Sequence, residues 1–283
     1  MIEVAIVLIV VWGAHPGIPL PRLDLPGNQS EAPIDAREEM APSLADEILA
    51  AAKIGAALAT PYRMSYPTIA YPGGDVSSNE GLCCDVVVRS LRAAGIDLQE
   101  LVYEDSLAAR ELYLEVAGRT AFDRPLNRSW IHRRTATLNL FFSRHALSLP
   151  TRYTEETRET WQPGDIVVYI RNGWETWHIA IISDATDAFT GEPMVIDSWR
   201  NPGYVSERHR LTAHGSIAGH YWIPDSLREG LSPEHVELAI SAWSAYVTAT
   251  ASAGVASGPP PAYAPFASSP VSRNFSPSLL FGF

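Results

Sequence analysis

The chain has 283 residues, and its 21 lysines and arginines against 32 aspartates and glutamates give a formal net charge of −11. This acidic balance argues against a nucleic-acid partner, because phosphate binding needs clustered basic side chains. The composition, 46% apolar and 19% charged, is that of a globular protein of one or two domains.

An apolar run from Val4 to Trp12 opens the chain. Its length fits the core of a signal peptide and is too short for a membrane span of about 20 residues. Because the run lacks a basic start and a clean cleavage site, a buried first strand is the alternative interpretation. We expect a signal-like segment over residues 1–20, an exported protein without an integral membrane span, and a linker over residues 21–42.

The first half of the chain carries helical patterns with recognisable start and stop residues. They predict four helices, which begin near Ser43, at the adjacent cysteines Cys83 and Cys84, at Asp105, and near Leu138. The first has a capping-box pattern and runs to about Ala59. The second is closed by Gly95, and the third is expected to end near Gly118.

After Gly164 the pattern changes to short runs of β-branched and aromatic residues. These runs predict the strands Asp165–Ile170, Trp177–Ser183, Met194–Ser198 and Ala218–Ile223. Helices followed by strands indicate an α+β fold, which we place in residues 43–226 and expect to fold alone. Residues 227–250 are consistent with one more helix, and residues 251–283 have the composition of a flexible tail.

Cys83 and Cys84 lie at the start of the second predicted helix. Unpaired N–H groups and the helix dipole favour the reactive thiolate at that position. The alternative is that both cysteines are small buried apolar residues, as free cysteines usually are. Adjacent cysteines do not form an ordinary disulfide, and two are too few for a structural zinc site unless several histidines join them.

A histidine and an aspartate fall on the second and third predicted strands. If Ser183 pairs with Glu192, His178 lies opposite Asp197, and the two side chains share one face of the sheet. The carboxylate would then orient the imidazole as a base for a nearby thiol. A slip of one residue would separate them, and His178 as an ordinary strand histidine remains the alternative.

The other histidines give weaker signals. His209 and His214 have a spacing that is not typical of a helical metal-ligand pair, in an expected loop, and His220 is expected in the core or at its rim. His132 and Arg133 are candidates for binding a substrate carboxylate, although a solvated basic turn explains the same residues.

Eight stretches of the chain follow one another in a recognisable order. They begin at Tyr71, Gly81, Gly95, His132, Leu138, Gln162, His178 and Gly219. Together they resemble the bacterial family called domain of unknown function 1287, a branch of the NlpC/p60-like, papain-related cysteine hydrolases. The resemblance covers about Ala45 to Ile223.

The resemblance implies a papain-like α+β fold in which the helix that carries the nucleophile packs on a small antiparallel sheet. It implies Cys83 as the nucleophile and His178 as the base, without a metal or an organic cofactor. Asp197 stands where the family commonly has a histidine, and an orienting role is implied for it. Polar residues of the matched stretches are candidates for substrate binding, and they are Tyr71, Asp75, Asp85, His132 and Arg133.

Relatives in this superfamily cut amide bonds in cell-wall peptides. We therefore expect a cysteine amidase or endopeptidase that acts on peptidoglycan peptides or another amide substrate. Two alternatives remain open. One is an acyltransferase with the same thioester chemistry, and the other is a non-catalytic cell-wall or protein-binding module that retains the fold.

Overall fold

The computed structural model describes residues 42–117, 126–172 and 175–252. The predicted signal-like segment, almost all of the predicted linker, the expected helix end at Gly118 and the tail from residue 253 lie outside these ranges. Within them, no helix is both long and apolar enough to cross a membrane.

The described residues form seven α-helices. They are α1 (Leu44–Leu58), α2 (Cys83–Ala93), α3 (Leu98–Ala108), α4 (Arg110–Ala117), α5 (Thr135–His145), α6 (Asp225–Glu229) and α7 (Pro233–Ser252). The predicted capping box at the start of α1 is confirmed, since the Ser43 side chain accepts from the Asp46 N–H and the Asp46 carboxylate accepts from the Ser43 N–H. Gly95 follows α2 with a φ of +83°, as a helix stop requires.

The region of the third predicted helix contains two helices, α3 and α4, and the first of them begins before Asp105. Asp97 caps α3 through a hydrogen bond from the Gln99 N–H, and Asp105 lies inside the helix. The prediction of Asp105 as the cap is wrong, because aspartate also occurs inside helices, where its side chain has other partners. Here its carboxylate accepts from the hydroxyl of Tyr113 and from Arg144.

Six strands form one antiparallel sheet. They are β1 (Leu147–Ser148), β2 (Ile166–Arg171), β3 (Glu175–Thr186), β4 (Pro193–Ser198), β5 (Val205–Arg210) and β6 (Ser216–Trp222). Their order across the sheet is β1-β6-β2-β3-β4-β5. The α+β class is thereby confirmed, with four predicted strands present and two more, β1 and β5, at the edges.

The sheet has an apolar layer on each face. Alternate residues of β2 enter different layers: Ile166 and Val168 pack with α1, α2 and α5, while Val167 and Tyr169 pack in a smaller layer with Trp161. Helix α2 is the central helix of the larger layer, since all of its residues from Cys83 to Arg92 are buried. The first residue of α2 is therefore held rigidly against the sheet.

Helix α7 packs against α2 and extends the folded region beyond residue 226. The Tyr246 hydroxyl lies 2.7 Å from Thr60 Oγ1, and the guanidinium of Arg89 lies 4.0 Å from the centre of the Tyr246 ring. His235 Nε2 accepts a hydrogen bond of 3.0 Å from the Asp97 N–H. A fragment that ends at residue 226 would expose this side of α2.

Candidate active site

Cys83 is the first residue of α2, as the sequence predicts. The Asp85 carboxylate accepts a 2.6 Å hydrogen bond from the Leu82 N–H and fixes the backbone before the helix. The Asp85 N–H donates to the Leu82 carbonyl oxygen. Because the first N–H groups of a helix have no partner within it, those of Cys83 and Cys84 are available to an anion. Both thiols are buried, with 8% of Cys83 and 2% of Cys84 exposed. The larger exposed fraction belongs to the predicted nucleophile.

His178 on β3 and Asp197 on β4 form the predicted hydrogen bond, with 2.7 Å between Nε2 and Oδ2. The predicted register is wrong by two residues, because Ile181 pairs with Ile196 rather than with Met194. A shift of two keeps each side chain on its predicted face, since the side-chain period of a strand is two. The hydrogen bond between His178 and Asp197 is therefore present although the predicted register is wrong.

Asp197 accepts hydrogen bonds from two further histidines. His214 Nε2 lies 2.6 Å from Oδ2, and His209 Nδ1 lies 3.1 Å from Oδ1. The expectation of a loop for His209 is wrong, because it lies on edge strand β5. Three imidazoles thus hold one buried carboxylate in place.

The same residues are the candidate metal ligands of the described part of the chain. The donor atoms of His178, Asp197 and His214 lie within 4.8 Å of one another, and two histidines with one carboxylate suit zinc. The same three side chains also contact one another. The His214 and His178 nitrogens lie 2.6 and 2.7 Å from Asp197 Oδ2, and these are the distances of direct hydrogen bonds.

The electrostatics of the site favour an ion pair between thiolate and imidazolium. The Cys84 thiol, His178 and the Ile179 N–H together hold the pKa of Cys83 well below its ordinary value, against the effect of burial. Burial alone would lower the pKa of His178, but Asp197 and Cys83 raise it to about 9. Asp197 stays ionised because its three imidazoles outweigh its burial and hold its pKa well below the ordinary range.

The second cysteine has the opposite character. Its proximity to Cys83 and its burial raise the pKa of Cys84 well above the ordinary value. Cys84 Sγ lies 3.6 Å from Thr135 Oγ1 on α5. Of the two thiols, Cys83 is therefore the one whose surroundings favour the thiolate, and Cys84 is the one whose surroundings favour the protonated form.

His178 presents one free ring nitrogen. Its Nε2 is bound to Asp197, while Nδ1 makes no hydrogen bond of normal geometry among the described residues. The rings of Trp177 and Trp199 lie 5.5 and 5.2 Å from the His178 ring and enclose it. Since Cys83 interacts electrostatically with this ring, the unpaired Nδ1 is the nitrogen available to the thiol and to a substrate.

Cys83 opens onto a groove of about 1010 Å³, which is at the upper end of the usual size of ligand sites. Its lining includes Tyr62 and Tyr66, residues of α5 and residues at the end of the β2–β3 hairpin. Trp177 and Trp199 also line it. The candidate nucleophile is thus accessible to an extended molecule.

The predicted substrate-binding residues have other partners in the structure. Asp85 and Arg133 form a buried bidentate ion pair of 2.6 and 2.8 Å, so the interpretation of Arg133 as part of a solvated turn is wrong. Asp75 binds Arg89 at 2.8 and 3.1 Å. These pairs fix α2 and the segments beside it, and of the three predicted residues only Arg133 lines the groove.

Tyr71 and His132 lie away from the groove lining. Tyr71 packs edge-to-face on Tyr103 at 5.4 Å. His132 is buried, and its burial lowers its pKa to about 3, so it is neutral. Neither residue is placed to contact a substrate at Cys83.

His220 is a core residue, as expected. It is fully buried, stacks on Trp161 at 4.0 Å and lies 2.9 Å from Asp165 Oδ2. The Nδ1 atom lies 2.9 Å from the Pro150 carbonyl oxygen. This second histidine–aspartate pair joins β6 to the segment before β2 and has no thiol beside it.

Comparisons with known proteins give a family and a relative. The family model described as "Domain of unknown function (DUF1287)" matches residues 49–223, more than half of the chain. "Uncharacterized protein YijF" of Escherichia coli (strain K12) is 36% identical over 161 residues, which are 56% of this chain and 72% of that protein. No solved structure matches significantly.

Proposed function

The chain belongs to the DUF1287 family, and we propose that it is a papain-like cysteine hydrolase that cleaves amide bonds in bacterial cell-wall peptides. One observation carries the proposal. A thiol with a lowered pKa begins a buried helix beside a histidine whose far nitrogen is held by a carboxylate. Nucleophile, base and orienting group are the three parts that covalent amide hydrolysis requires.

In the proposed reaction, the Cys83 thiolate attacks the carbonyl carbon of the amide. The backbone N–H at the start of α2 donates to the oxyanion that forms. His178 gives its Nδ1 proton to the leaving amine, and a thioester remains on Cys83. A water molecule, deprotonated by His178, then attacks the thioester, releases the acid and restores the thiolate–imidazolium pair.

Asp197 has an orienting role in this scheme. Its carboxylate fixes the imidazole through Nε2 and stabilises the positive charge on the ring. His209 and His214 act on Asp197 and not on the substrate, because they bind its two oxygens. They are positioning residues.

The choice of cell-wall peptide as substrate rests on the resemblance to the NlpC/p60-like hydrolases, whereas the expectation that the protein is exported rests on the apolar run from Val4 to Trp12. Purified peptidoglycan, digested with the wild type and with Cys83→Ala, tests both substrate and nucleophile. We expect new amine and carboxyl termini, identified by mass spectrometry, with the wild type only. Identical products from both proteins would refute the proposal.

The same digestion separates hydrolysis from acyl transfer. An added amine that appears in the products in place of water would show an acyltransferase. Absence of any product, together with slow alkylation of Cys83, would favour a non-catalytic binding module.

A further inference from the structure

The groove at Cys83 is basic although the chain is acidic. Its lining contains Arg133, Arg134, Arg171 and Arg200, and among the described residues that line it Glu115 is the one acidic side chain. The chain as a whole has a formal net charge of −11. A positive groove on an acidic protein concentrates anions near the groove.

The four arginines of the lining differ in their partners, and Arg200 interacts with the hydroxyl of Tyr62, another residue of the lining. Arg133 is neutralised by Asp85, and Arg171 stacks over Trp177 at 5.7 Å. Arg134 and Arg200, in contrast, pair with no carboxylate in the part of the chain that the structure describes. A guanidinium without such a partner presents a fork that matches a carboxylate.

Both arginines belong to segments that form the site. Arg134 immediately precedes α5, whose first residue, Thr135, contacts Cys84. Arg200 follows Trp199, and its guanidinium lies 5.8 Å from the centre of the Trp199 ring, which encloses His178. Both arginines therefore belong to segments that line the groove.

We propose that Arg134 and Arg200 bind a carboxylate of the substrate, so that the enzyme prefers peptides with an acidic group near the amide bond attacked by Cys83. This inference rests on the proposed function and specifies its substrate class. The aromatic walls, Tyr62, Trp177 and Trp199, provide apolar contact for the rest of an extended peptide.

Two alkylating reagents of similar size test the inference without a known substrate. Iodoacetate is an anion and iodoacetamide is neutral, so the ratio of their rates at Cys83 reports the local potential. The ratio is divided by that of N-acetylcysteine, and the modified residue is identified by fragmentation of the labelled peptide. The full chain is used, as wild type, Arg134→Gln, Arg200→Gln and the control Arg158→Gln, an exposed arginine outside the groove lining.

We expect the normalised ratio to exceed one in the wild type. It falls about two- to fivefold in Arg134→Gln and in Arg200→Gln and is unchanged in Arg158→Gln, because an exposed charge contributes modestly to a local interaction. High salt reduces the wild-type ratio. Comparison between variants removes the contribution of the His178 imidazolium, which all of them retain.

A second measurement uses peptides. Triglutamate is expected to protect Cys83 of the wild type from iodoacetamide better than triglutamine does, and Arg134→Gln and Arg200→Gln abolish the difference. Unchanged alkylation ratios in both arginine variants, or equal protection by the two peptides, would overturn the inference while leaving the proposed nucleophile intact. Failure of both reagents to modify Cys83 would overturn the proposed function and this inference together.

Discussion

Replacing Asp197 by asparagine tests whether the Asp197 carboxylate raises the pKa of His178. The substitution preserves the shape of the side chain and removes the charge that three imidazoles share. The wild-type neighbours raise the pKa of His178 from 6.5 to about 9 despite its burial. At about 1.4 kcal/mol for each pKa unit, the net stabilisation of the imidazolium, after the opposing effect of burial, is about 3 kcal/mol.

Asp197 and Cys83 share this stabilisation, and the hydrogen bond from His178 to Asp197 is the largest favourable contribution. We therefore expect Asp197→Asn to lower the pKa of His178 by at least about 1, and to slow amide hydrolysis at neutral pH about ten- to a hundredfold. NMR of the full chain labelled with ¹⁵N-histidine measures the ring pKa. The resonance of His178 is assigned by its loss in His178→Gln.

Asp184→Asn is the matched control, because Asp184 lies on the same strand and pairs with Lys53 at the surface. It should leave the pKa of His178 unchanged. A circular dichroism spectrum confirms that both variants fold. If the pKa of His178 were the same in Asp197→Asn as in the wild type, the orienting role of Asp197 would be refuted.

Three further predictions concern the nucleophile, the support of α2 and the domain boundary. Cys83→Ala abolishes peptidoglycan cleavage, whereas Cys84→Ser retains activity within about tenfold; the reverse result would move the nucleophile by one residue. Arg133→Met leaves a buried carboxylate unpaired and lowers the free energy of unfolding, measured in urea, by about 3–5 kcal/mol; a loss below about 1 kcal/mol would contradict the structural role. A fragment of residues 42–252 has the melting temperature of the full chain, whereas residues 43–226 melt lower; equal melting temperatures would show that α7 contributes nothing.

The capping box at Ser43, the start of α2 at Cys83 and the pairing of His178 with Asp197 were predictable because each depends on local sequence or on side-chain periodicity. The alternation of side chains along a strand assigns each residue to one face of the sheet, and this assignment does not change when the register shifts by two residues. Register depends on the turn that joins the strands, and the irregular pairing between Ile182 and Thr186 could not be foreseen from the sequence.

The histidines that surround Asp197 were missed for a different reason. Strand β5 reads Val-Ser-Glu-Arg-His-Arg, and such a charged edge strand lacks the apolar alternation that reveals a strand. The sequence therefore predicts a loop for His209. The contact of His214 with Asp197 is long-range, and no local pattern predicts it.

The buried ion pairs also could not be predicted from the sequence. Arg133 and Asp85 are 48 residues apart in the sequence, and the resemblance implies substrate binding for each of them separately. Charged residues are usually exposed, so burial of both is unexpected until the partner is known. Their bidentate contact explains why both charged side chains are buried.

The pH dependence of Cys83 alkylation by iodoacetamide tests the central claim most directly. It is measured on the full chain in the presence of EDTA, with His178→Gln for comparison. The account predicts that Cys83 of the wild type reacts well below the ordinary thiol pKa of about 8.5, with a second transition near pH 9 as the imidazolium loses its proton. Both features disappear in His178→Gln. A single rise near pH 8.5 that is the same in both proteins would contradict the account.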